Sequence, residues 1–90
     1  MKPERFKFKS RQIVYEKERE GIKNNTVREI DLDDDRYQEL IYWNHAGYND
    51  GDIEIEIVNA DQPDTYFVRN IRDISTYKNL MVITWNHRKE

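Results

Sequence analysis

Apolar and polar residues alternate in short runs along this chain, and the runs change period several times. Phe6-Lys7-Phe8-Lys9 has the two-residue period of a short strand, with Pro3 at an entry position that needs no ladder donor. Ser10 is placed to cap a helix over Arg11 to Glu20, with Ile13, Val14 and the stem of Lys17 as its narrow apolar face. Gly21 stands where a helix ends in the left-handed conformation. Thr26 to Ile30 alternates again, so Thr26 and Arg28 share one face and Val27 takes the other. Four aspartates between Asp31 and Asp35 suit a helix N-terminus, Asp35 and Gln38 have capping-box spacing, and Tyr37, Leu40 and Ile41 predict a helix to about Asn44.

Asp50-Gly51 predicts a turn before the clearest strand, Asp52 to Val58. There Ile53, Ile55 and Ile57 are expected to face the core, and Glu54 and Glu56 to face water. Asn59 to Asp64 reads as a hairpin loop and Thr65 to Ile74 as a strand with Phe67 and Ile71 on one face and Tyr66 and Val68 on the other. Ser75 to Asn79 reads as a connection, Leu80 to Trp85 as the most apolar and central strand, and Asn86 to Glu90 as a polar tail. Strand, helix, strand, helix and three further strands, paired antiparallel in succession with the helices outside them, predict an α+β fold: a small, partly open β-barrel with two short helices. An open sheet covered by the two helices is the alternative.

Composition narrows this to one domain over residues 1–90, since the chain has no linker and no room for a second core. Hydrophobic and charged residues each make up 37%, so the core is thin, and eleven aromatic residues compensate by burying much area per residue. No cysteine is present, which excludes disulfides and thiolate metal sites. No apolar run approaches the ~20 residues of a membrane span, and no signal-peptide core is visible, so a cytoplasmic monomer is expected. The net charge of −3 argues against a duplex-DNA binder. Lys and Arg gather in residues 2–28 and acids in 29–64, which leaves room for a local basic groove.

Nucleotide-loop glycine patterns, zinc spacings and the spaced ligands of a calcium loop are absent from the sequence, so no cofactor and no metal is expected. His45 and His87 stand alone, in a loop and in the tail. Candidate chemistry concentrates in Gly21-Ile22-Lys23-Asn24-Asn25-Thr26-Val27-Arg28. Lys23, Asn25, Thr26 and Arg28 are the expected ligand-binding residues at the barrel mouth. A partly desolvated Lys23 beside Arg28 is placed to act as a base on Thr26, and the Arg28 fork suits a carbonyl or a phosphate. Glu29, Asp73 and Glu56 are the candidate acids, which the sequence does not rank with force: a regular strand points Glu29 away from Thr26, and Asp73 is favoured over it because it ends a strand.

The same stretch resembles the G-x-K-x-x-E-x-R motif of the ASCH domains, a branch of the PUA-like fold. The resemblance extends to the layout: a short helix before the motif, Gly51-Asp52 at the opening of a later strand, and an apolar closing strand at Leu80 to Trp85. Thr26 replaces the usual glutamate, as in the small N4-acetylcytidine amidohydrolase branch. That resemblance implies Lys23 as base, Thr26 as nucleophile or polar partner, and Arg28 in binding. The branch also uses a glutamate from a late helix, whereas Ser75 to Asn79 contains neither a helix pattern nor a glutamate. A domain that binds RNA or a nucleoside-like ligand is therefore the leading expectation. Amide hydrolysis on an acylated nucleoside is the enzymatic alternative. A protein-interaction module of phage or mobile-element type, suggested by the small size and acidic middle, is the third.

Overall fold

The computed structural model describes residues 2–87. Its elements are β1 (Glu4–Ser10), α1 (Gln12–Arg19), β2 (Asn25–Glu29), α2 (Asp35–Ala46), β3 (Ile53–Asn59), β4 (Tyr66–Tyr77) and β5 (Leu80–Trp85). The strands form one sheet in the order β1-β3-β4-β5-β2, curled into a half-barrel. The α+β class is as expected from the alternating runs. Strand direction differs at one place: β1 pairs with β3 in parallel, while every other neighbouring pair is antiparallel. No helix among the described residues is long and apolar enough to cross a membrane.

The inner face follows from alternation. Phe6, Phe8, Ile53, Ile55, Ile57, Phe67, Ile71, Ile74, Met81, Ile83 and Trp85 are all buried there, joined by Tyr15 of α1 and by Tyr37 and Leu40 of α2. Each such side chain contributes about 1.5–3 kcal/mol by leaving water. On the outer face Glu56 departs from expectation. It is buried, because Arg5 and Lys7 of β1 close over its carboxylate at 3.2 and 3.6 Å.

The α1 helix turns a different face inward from the expected one. Ile13 is 74% exposed and Val14 partly so, whereas Tyr15 and Glu18 are buried. Tyr15 packs against Phe67 with ring centroids 5.3 Å apart and the rings tilted by 51°. Ser10 is the last residue of β1 and not a cap; the first turn of α1 is instead satisfied by Asp61, whose Oδ2 accepts from Gln12 N at 2.8 Å. Gly21 follows the C-cap Glu20 with φ of +86°, a conformation that suits glycine. Asp34, one residue before the expected capping box, caps α2 by accepting from Arg36 N. Its carboxylate is held below its ordinary pKa by the Arg36 side chain.

The strand β4 runs on through Ser75, Thr76 and Tyr77, where a connection was expected, so β4 and β5 are joined by Lys78 and Asn79 alone, with Lys78 at φ of +54°. A register shift between Ile71 and Asp73 marks a bulge in β4. The expected tail is described only as far as His87; the rest of it lies outside the described residues.

Candidate functional site

The strands β1 and β2 are the two edges of the sheet, and the curl brings them together. Arg28 of β2 spans the gap. Its Nη2 donates to the Lys9 carbonyl of β1 at 2.9 Å and to Ser10 Oγ at 3.4 Å. Its Nε donates to Thr26 Oγ1 at 2.9 Å. Thr26 is buried because it sits opposite Ile83, which in turn sits opposite Ile74, so the three share the inner face. Alternation thus points Thr26 into the mouth of the half-barrel and aligns Arg28 beside it.

A carboxylate completes this corner, and it comes from α1. Glu18 is 0% exposed, and its Oε2 lies 3.3 Å from Lys23 Nζ. Lys23 also donates to the Asn25 carbonyl at 2.8 Å. The turn that makes this possible is set by Lys23 N donating back to the Lys17 carbonyl at 3.0 Å, which folds residues 21–24 under the helix end. Burial lowers the pKa of the Arg28 guanidinium, and the negative charge of Glu18 opposes that shift. Glu18 Oε1 is buried with no hydrogen-bond partner among the described residues. The site therefore presents two cations, a hydroxyl and one uncommitted carboxylate oxygen.

Of the residues expected from sequence, Lys23, Thr26 and Arg28 come together, and Asn25 contributes its carbonyl rather than its side chain. The candidate acids do not join them. Asp73 sits opposite Thr84, which sits opposite Asn25, on the outer face of the sheet. There it is exposed and accepts from Ser75 Oγ at 2.8 Å. Glu29 accepts from Asn79 at 3.3 Å, and Glu56 is held by β1 on the far side of the sheet. Sequence reasoning missed Glu18 because it lies in a run of alternating charges, Glu16-Lys17-Glu18-Arg19-Glu20. Its three-residue spacing from Tyr15 was the available signal.

Lys23 is a donor in this geometry. An ammonium that already donates to a carboxylate and a carbonyl has no lone pair with which to accept a proton. Glu18 Oε1 is the acceptor beside it that is left without a donor among the described residues. No family model, curated protein or solved structure matches the chain.

Proposed function

We propose that this is a PUA-like, ASCH-related domain that binds RNA or a nucleoside-like ligand at the mouth of its half-barrel. The observation that carries this reading is the buried Glu18 carboxylate, with one oxygen uncommitted, beside Lys23 and in the field of Arg28. Burying a carboxylate costs free energy that a ligand donor recovers, while the cations suit a phosphate or carbonyl. Lys23→Ala is expected to weaken binding of a single-stranded RNA oligonucleotide roughly tenfold, the worth of one charge-assisted bond. Its melting temperature should also fall, because Lys23 is the ion-pair partner of the buried Glu18 carboxylate, so affinities are compared at a temperature where both chains are folded. The check is a fluorescence-anisotropy titration beside a thermal melt. RNA affinity equal to that of the parent chain would reject the reading.

Amide hydrolysis on an acylated nucleoside is the second reading, and Glu18 is what favours it, because it supplies an acid that Asp73 does not. In that case Glu18, rather than Lys23, accepts the proton from the attacking group. Incubation with N4-acetylcytidine is then expected to release cytidine, with Glu18→Gln lowering the rate by at least about a hundredfold, in the range typical of a general acid–base. Equal release from the parent and Glu18→Gln chains would eliminate it.

A further inference from the structure

Glu18 Oε1 is not alone. Asn24 Oδ1 and Trp85 Nε1 are also buried without a hydrogen-bond partner among the described residues. Asn24 and Trp85 are neighbours across the β2–β5 ladder, and Glu18 is linked to the residue after Asn24 through Lys23. Trp85 N donates to the Asn24 carbonyl at 3.0 Å, and Lys23 ties Glu18 to Asn25. Counting back from Thr26 along β2, and on from Ile83 along β5, places both Asn24 and Trp85 on the inner side of the sheet. The orientation of the Asn24 amide follows from its own contact. Its nitrogen donates to the Gly21 carbonyl at 3.1 Å, and the flipped amide would set oxygen against oxygen. Two acceptors, a carboxylate oxygen and an amide oxygen, and one donor, an indole N–H, are therefore left to be met.

We propose that this mouth, if it is the ligand site argued above, selects a guanine-type edge. A ligand that satisfies all three atoms offers two donors and one acceptor. Among the four RNA bases only the Watson–Crick edge of guanine does so, with O6 as acceptor and N1–H and the exocyclic amino group as donors. Cytosine and uracil present one donor and two acceptors, and adenine one of each. A mismatched base leaves buried groups unpaired, which is the strongest form of rejection available to a polar pocket. Thr26, whose oxygen already accepts from Arg28, has a proton left for a further acceptor. Lys23 and Arg28 are left to take a phosphate. Two side chains stand over the turn, Lys23 half-buried and His87 exposed. Lys23 covers Glu18, and the His87 ring lies so close to Gly21 that a Cβ there would meet it at 2.7 Å. Entry of a base requires both to rotate aside, which breaks the Lys23–Glu18 contact.

The test is a two-dimensional amide NMR titration of the full chain with GMP, AMP, CMP and UMP. The indole N–H signal of Trp85 is distinguished from that of Trp43 by its loss in Trp85→Phe. GMP is expected to bind at least about tenfold tighter than the other three, one unpaired buried group being worth about that factor. It should move the Trp85 indole signal and leave that of Trp43 in place. Trp85→Phe and Glu18→Gln, each checked for an undisturbed amide spectrum, should lower GMP affinity toward that of AMP. CMP, UMP or AMP binding as tightly as GMP in a Lys23-dependent way would overturn the guanine selection and leave the ligand site standing. GMP binding that spares the Trp85 indole would also overturn it. Failure of all four nucleotides to bind would remove both.

Discussion

Phe8→Ala is expected to lower the unfolding free energy by about 3–5 kcal/mol, the range for emptying a buried aromatic site. Phe8 is 1% exposed and lies in an edge strand whose ladder partner among the described residues is β3. On its other side β1 is held by side chains. Arg28 donates to the Lys9 carbonyl and Arg36 to the Lys7 carbonyl, on either side of Phe8 in sequence. Both guanidinium groups lie over the Phe8 ring, at 5.2 and 4.4 Å from its centroid, and Tyr37 meets it edge-on at 5.9 Å. The ring is thus core filler and also the platform on which the seam between the two sheet edges is fastened. Phe8→Leu separates these roles, because it keeps much of the volume and loses both cation–π contacts, each worth about 0.5–2 kcal/mol. Phe6, equally buried, has no arginine over it among the described contacts and serves as the control. Urea denaturation of the three variants is the measurement. Phe8→Leu should cost about 1 kcal/mol more than Phe6→Leu, with the slope against urea unchanged. Equal costs would show that the seam draws nothing from the ring.

How much of this architecture is legible in the sequence depends on whether a residue's partners are local. The strand β3 is legible because Ile53, Ile55 and Ile57 repeat every second residue and are all buried. The face of α1 is not. Ile13 and Val14 are the more apolar choice, yet Tyr15 goes inward because its ring finds Phe67, and Glu18 goes inward because Lys23 lies under the helix end. Neither partner is visible until the turn at Gly21 and the register of β2 are known. Strand direction has the same character, for nothing within Glu4–Ser10 says that it will run parallel to β3.

Asp73 shows the most specific failure. In an unbroken β4, Phe67, Arg69, Ile71 and residue 73 would share the inner face. The register shift after Ile71 moves the phase by one residue, so Ile74 takes the inner position and Asp73 the outer one. A one-residue bulge leaves almost no mark in composition, and it puts Asp73 on the face of the sheet opposite Thr26. The Gly21 to Arg28 corner was legible as a cluster of donors because its members are close in sequence. Its acid was not, because Glu18 belongs to the preceding helix and looks like one more surface charge.

Arg28→Ala is the variant expected to change stability and binding together. Its guanidinium joins β2 to β1 and holds the Thr26 hydroxyl, so its loss leaves Thr26 Oγ1 buried without that donor. A hydrogen bond to a charged group is worth about 1.5–3 kcal/mol, and the expected cost to stability is about 2 kcal/mol. Arg28→Lys keeps the charge and the contact with Phe8. A single ammonium cannot reproduce the fork that reaches Thr26 and the Lys9 carbonyl at once, so it should recover less than half of that stability. Burial already disfavours the charge at this position, and Glu18 opposes the effect, so Glu18→Gln is expected to destabilise the chain further in the presence of Arg28 than in Arg28→Ala. Binding separates charge from geometry. If Arg28 meets a phosphate as a point charge, Arg28→Lys should retain most of the RNA affinity and Arg28→Ala should lose about tenfold, with the salt dependence reduced by about one phosphate contact. If the fork is what matters, both variants should lose affinity alike. Unchanged affinity in a folded Arg28→Ala chain would make this arginine a fastener of the two sheet edges alone and would move the ligand site away from the mouth.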